Sequence, residues 1–88
     1  MKVVMRLNDF KYDFEKELKS KQMELEMGTV EFAEHIGMHK TWLFKLWNPA
    51  EKRRPLSEKT MALLHNRLGI DYDTMINYNE EVLRDRGV

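Results

Sequence analysis

The chain of 88 residues contains no cysteine. Disulfides, thiolate zinc sites, iron–sulfur clusters and a cysteine nucleophile are thereby excluded, and stability has to come from packing. Long apolar stretches are missing as well. The longest unbroken run is Met61 to Leu64, far short of the roughly 20 residues that cross a bilayer, so no membrane span is expected. A secretory leader is not expected either, because Arg6 interrupts the short stretch that begins at Val3. Together these absences predict a cytoplasmic protein. Charge of one sign is also lacking: 15 basic residues match 15 acidic ones, and a neutral total argues at first sight against a nucleic-acid partner.

What is present is the composition of a soluble globular domain, 42% hydrophobic and 34% charged. A chain of this length cannot divide its core in two, so a single domain over 1–88 is expected. The neutral total conceals an uneven distribution. Residues 40 to 54 hold Lys40, Lys45, Lys52, Arg53 and Arg54 against the single acid Glu51, while Asp71, Asp73, Glu80, Glu81 and Asp85 make the C-terminal part acidic. On its own, such a basic run reads as a solvated loop; its meaning depends on what precedes it.

Glycine and proline are sparse and fall between periodic segments or at the chain's end, which predicts helices as the regular elements. Asp9 to Glu26 carries Phe10, Phe14 and Leu18 at four-residue spacing, an amphipathic first helix. Thr29 to Ile36 sets Phe32, Ala33 and Ile36 on one stripe and is closed by Gly37. Residues 39 to 47 repeat the pattern with Leu43, Leu46 and Trp47, and Pro49 forbids its continuation. Ser57 is placed to cap a fourth helix running to about Leu68, with Leu56 packing on Met61 and Gly69 ending it. Asp71 or Asp73 caps a short fifth helix bearing Met75 and Ile76, which Asn77, Tyr78 and Asn79 interrupt before one last turn over Glu80 to Arg86. Val3 to Met5 favour a strand that has no partner, so residues 1–8 are expected as an arm, 9–76 as the helical core and 77–88 as an acidic extension. The fold class expected is all-α, a compact bundle of about five short helices.

Two short helices around a glycine-bearing turn, followed by a basic loop, match the helix-turn-helix plan. The twenty residues from Thr29 to Asn48 resemble the helix-turn-helix of the phage lambda-repressor and Cro type, also called the XRE family. Four residues carry the match: Ala33 where the two helices cross, Gly37 in the turn, Leu43 at the centre of the second helix and Leu46 near its end. Leu68-Gly69-Ile70 matches a step the family makes after its fourth helix. The chain departs from the pattern at Thr29, where members commonly carry glutamine, and in the loop from Asn48 to Pro55, which is either an added phosphate contact or a local insertion. The resemblance implies a lambda-repressor-like fold and sequence-specific binding of double-stranded DNA, with the helix at 39–47 in the major groove. It also implies a homodimer on a palindromic operator and the work of a nucleoid-associated regulator, of the repressor kind found in phages, prophages or mobile elements.

Plotting the second helix at about 100° per residue puts Leu43, Leu46 and Trp47 on the core side and Thr41, Lys45 and Asn48 opposite, with Trp42 and Phe44 on the flanks. Lys40, Thr41, Phe44 and Lys45 are therefore the candidates for reading bases, since they offer donors to guanine, a hydroxyl and a ring for a thymine methyl. Thr29, His39, Trp42, Asn48, Lys52, Arg53 and Arg54 are the candidates for the phosphate backbone. Trp42 either stacks on a sugar or braces the neighbouring helix. Tyr72, Met75, Ile76 and Tyr78, or the pair Val82 and Leu83, are left as dimer-surface candidates.

Other chemistries find little support. His35 and His39 stand four apart, but Gly37 breaks the helix between them and no third ligand follows, so no metal is expected. His65 reads as structural. The acid pairs Glu31 with Glu34 and Asp71 with Asp73 have no nucleophile, cofactor motif or cleft beside them, so neither an enzyme, a cofactor nor a small-molecule substrate is expected. The competing reading is a protein-interaction module on the same fold, an anti-repressor, antitoxin component or inhibitor of a host enzyme, that turns Trp42 and Phe44 toward a protein.

Overall fold

A computed structural model describes residues 10–48 and 51–86. The described residues form five helices in the order α1 Asp13–Glu24, α2 Thr29–Ile36, α3 Lys40–Leu46, α4 Glu58–Leu68 and α5 Tyr72–Asp85, and no strand. The all-α bundle expected from the periodicity is the observed architecture. The arm expected over residues 1–8 lies outside the described residues.

Helix ends follow the local chemistry. Gly37 and Gly69 take left-handed φ values of 91° and 71° after α2 and α4, which glycine adopts without the cost a β-carbon brings. A β-carbon at Gly37 would stand 3.7 Å from Leu63, an ordinary contact, so the backbone angle and not space demands the glycine. Ser57 caps α4, its Oγ accepting the Thr60 amide at 3.2 Å. Helix α1 is shorter than its sequence pattern: it starts at Asp13 and stops at Glu24. Beyond it Glu26 takes a φ of 54°, and the amides of Glu26 and Met27 reach the carbonyls of Met23 and Gln22 at 3.1 and 3.3 Å. That is the paired closure usually made around a glycine.

The core gathers Phe14, Leu18, Phe32, Ala33, Ile36 and Leu43 with Leu64, Ile70, Met75 and Val82. Burying an aliphatic or aromatic side chain of this size stabilises by about 1.5–3 kcal/mol, so these residues dominate the folding free energy. Leu43 and Leu46 are buried as expected, whereas Trp47 is only half-buried and packs on the edge of the core. Its ring meets Phe10 edge-on at 5.3 Å and lies 4.9 Å below the Lys19 ammonium, whose pKa burial lowers.

The C-terminal part departs most from expectation. A single helix of 14 residues replaces the short fifth helix, the interruption and the last turn. Residues 77–86 are therefore no extension: Tyr78 and Val82 are buried, and α5 packs on both α1 and α4. Among the suggested dimer-surface residues, Met75, Tyr78 and Val82 belong to the core, which leaves Tyr72, Ile76 and Leu83 exposed at 42%, 45% and 40%. These three fall within about 40° of one another around α5 and form one apolar stripe.

The polar residues of that part explain the continuity. Asn79 bonds the backbone of Leu56, Tyr78 donates to Glu15 at 2.9 Å, and Tyr12 donates to Asp85 at 2.7 Å. Lys11 pairs with the same Asp85 carboxylate. Burial and the bond to Asp85 push the Tyr12 phenol up to about 12, and bonds from Lys11 and Tyr12 hold Asp85 below its ordinary value. Asp71 occupies the N-cap position of α5 without a side-chain bond. His65 accounts for the turn between α4 and α5: its ring lies beside Tyr72 at 4.6 Å, and Nδ1 donates to the Ile70 carbonyl at 2.9 Å.

Candidate nucleic-acid interface

Helices α2 and α3 pack directly on each other, with Ala33 fully buried where a small side chain is needed for close approach. Their turn holds α3 so that Leu43 and Leu46 enter the core. Lys40, Thr41, Phe44 and Lys45 then face solvent, and Asn48 is exposed just after the helix. The four residues predicted as base readers thus share the solvent face of α3. Phe44 is 51% exposed, a ring left in water between two lysines.

His39 caps α3 by accepting the Thr41 amide on Nδ1 at 3.1 Å. An acceptor at Nδ1 requires the ring proton to sit on Nε2, which leaves one donor for an outside partner. Thr29 begins α2 half-buried, and its hydroxyl accepts from the buried Gln22 amide at 3.4 Å. The same amide donates to the Met27 carbonyl at 3.1 Å. Thr29 is therefore held by α1, a contact that nothing in the local pattern around it announces.

Beside α3 runs a groove of 430 Å³, walled by Thr41, Trp42 and Lys45 on one side and by the basic loop and the start of α4 on the other. Trp42 is half-buried, with part of its ring packed against the core and part lining the groove. Lys52 and Arg54 are exposed along the loop. Arg53 is not, and the expectation that it meets phosphate needs correction. Its side chain is 13% exposed and Nε stands 2.8 Å from the buried Glu15 carboxylate. A guanidinium drawn inward by a buried acid is withdrawn from the surface that its two neighbours occupy.

The first turn of α3 contains no acid, whereas α1, α2, α4 and α5 each begin with at least one. Glu51 is the single acid in the groove wall. Chemically, the face offers ammonium and guanidinium donors, one hydroxyl and one exposed ring. It holds no nucleophile paired with a base, and no cluster able to hold a metal occurs among the described residues. No helix among them is long and apolar enough to cross a membrane. No protein-family model, curated protein or solved structure matches the chain.

Proposed function

We propose that the protein is a sequence-specific double-stranded DNA-binding regulator of the lambda-repressor type, with α3 entering the major groove. The observation that carries this reading is the grouping of Lys40, Thr41, Phe44 and Lys45 on the solvent face of α3, next to exposed Lys52 and Arg54. Cations flanking a polar and aromatic strip suit a duplex, because phosphates take the charges while base edges and thymine methyls meet the strip. The zero net charge makes non-specific attraction weak, so affinity leans on base contacts and on dimerisation. The exposed stripe of Tyr72, Ile76 and Leu83 on α5 favours a homodimer through that helix. Repression in a phage, prophage or mobile element, on a cytoplasmic nucleoid, is the setting this reading implies.

Selection of duplexes from a random pool, followed by fluorescence anisotropy against salt, tests the proposal. A selected sequence with two related half-sites is expected, with affinity that falls steeply as salt rises. Absence of any retained duplex at about 50 mM salt rejects it.

One observation favours a second reading, a protein-interaction module: the half-exposed ring of Phe44 would serve equally well as an anchor in a protein pocket. A partner bound in this way keeps most of its affinity at high salt, which separates the two.

A further inference from the structure

Lys52, Arg53 and Arg54 are consecutive, yet the middle one is engaged wholly differently. Its Nη1 donates to the carbonyls of Asn48 at 3.0 Å, Glu51 at 3.2 Å and Lys45 at 3.3 Å. Its Nε meets Glu15 Oε2 at 2.8 Å, and that oxygen also accepts the Tyr78 hydroxyl. One guanidinium therefore joins α1, the loop and the C-terminal end of α3, and through Glu15 it reaches α5. Together with Glu51 and Lys52, Arg53 also lines both the groove beside α3 and a separate cleft beside Tyr12, Val82 and Asp85.

Two features make this arrangement more than packing. Helices α2 and α4 end on glycine, but α3 ends on Trp47 in right-handed geometry, and the Lys45 carbonyl in its last turn and those of Asn48 and Glu51 beyond it accept from Arg53. In addition, α3 packs on α2, while α5 packs on α1 and α4; the guanidinium is a direct polar tie from the end of α3 to the α1–α5 half. A buried ion pair seldom stabilises a fold more than apolar groups of the same volume would. Geometry rather than stability accounts for it.

We propose that Arg53, held by Glu15 and Tyr78, is a positioning residue that fixes the C-terminal end of α3 against α1 and α5 and so sets the orientation of the reading face. The consequence for recognition rests on the DNA-binding reading above; the tether itself does not.

The full chain carrying Glu15→Leu together with Arg53→Met decides the matter. The two changes cancel in charge, so non-specific attraction to a duplex and its salt slope stay as in the wild type. An apolar pair leaves no buried charge unpaired, so the urea midpoint is expected to fall only as far as the Tyr78 hydroxyl's loss of its acceptor requires, and adding Tyr78→Phe is expected to restore it. Hydrogen exchange at the amides of Asn48 and Glu51 should quicken relative to core amides such as that of Leu64. Affinity for the duplex selected by the wild type should fall about tenfold, with little change for a scrambled duplex. Unchanged exchange at both amides and unchanged selective affinity, at equal stability, would overturn the proposal. Should the double variant not fold, Arg53→Lys keeps the charge but not the fork, and the same two losses are expected; full wild-type behaviour of that variant overturns it equally. If the wild type binds no duplex, the DNA reading fails by itself, and exchange at Asn48 and Glu51 still decides whether Arg53 tethers α3.

Discussion

The side chain of Asn79 on α5 closes both hydrogen-bonding groups of Leu56: Oδ1 accepts the Leu56 amide at 2.6 Å, and Nδ2 donates to its carbonyl at 3.1 Å. Leu56 is buried at the point where the basic loop turns into α4, so neither group has easy access to water. Asn79→Ala leaves both without a partner and is expected to destabilise by about 2–4 kcal/mol, since each such group costs about 1–3 kcal/mol. Urea unfolding monitored by circular dichroism checks this; a loss under about 0.5 kcal/mol would show that water replaces the amide.

Lys52 and Arg53 are adjacent in sequence and opposite in expected effect. Lys52→Ala should leave stability within about 0.5 kcal/mol, as exposed positions do, while lowering the salt slope of duplex binding by about 0.9. Arg53→Ala should cost about 3–5 kcal/mol because it leaves the Glu15 carboxylate buried and unpaired. Equal stabilities of the two variants would contradict the buried pair.

Exposed Phe44 separates contact from folding. Phe44→Ala is expected to change stability by no more than about 0.5 kcal/mol and to weaken binding of the selected duplex, with altered preference at one base-pair position. Selection from a random pool with this variant provides the measurement, and an unaltered selected sequence removes the ring from the reading face.

Glu15 gives stability an unusual dependence on pH. Burial raises its pKa above the ordinary 4.5, outweighing the bonds from Arg53 and Tyr78 that act the other way. Between 4.5 and the raised value the folded state binds more protons than the unfolded one, so this contribution is full below 4.5 and is lost as pH rises through the folded value. Asp85 acts in the opposite sense and lower: its contribution is present above 3.8 and lost as pH falls through its depressed value. The urea midpoint of the wild type should therefore rise as pH is lowered from neutral toward 4.5. In Glu15→Gln that rise should be reduced, and identical profiles for the two proteins would contradict the buried carboxylate.

Glu26 pays the steric cost of the left-handed region, about 1–2 kcal/mol for a residue with a β-carbon. Glycine there removes that cost but adds about 0.4–1 kcal/mol of freedom to the unfolded chain. Glu26→Gly should consequently stabilise by roughly 0.5–1 kcal/mol, a rise of several degrees in Tm for a domain of this size. An unchanged or lower Tm would show that the side chain has compensating contacts.

Several of these sites differ in how far they could be read from sequence. Periodicity and glycine placement were sufficient for α2, α3 and α4, because their buried positions apart from Thr60 are apolar and their ends are marked by Gly37, Pro49, Ser57 and Gly69. The same reasoning lost α5 at Asn77 to Asn79, since Tyr78 and Asn79 face inward as hydrogen-bonding groups, and a polar residue looks the same in sequence whether it meets water or Glu15. In the sequence Glu15 is one of several acids along the first helix, and nothing local sets it apart. Its partners lie in the loop and on α5, and no local pattern records pairing across 63 positions. The solvent face of α3 was legible because it is the complement of a short apolar stripe. The separation of Arg53 from its two neighbours was not, because three consecutive cations carry no mark of which one turns inward.

The clasp between Tyr12 and Asp85 spans 73 positions, and it constrains the order in which the molecule can be made. During synthesis α1 leaves the ribosome long before the helix that covers it, so Phe14 and the Glu15 carboxylate wait without Tyr78 while α2, α3 and α4 emerge. A stalled nascent chain that exposes only the residues before Tyr78 should resist no more protease than an unfolded segment, with protection arriving abruptly once α5 clears the exit tunnel.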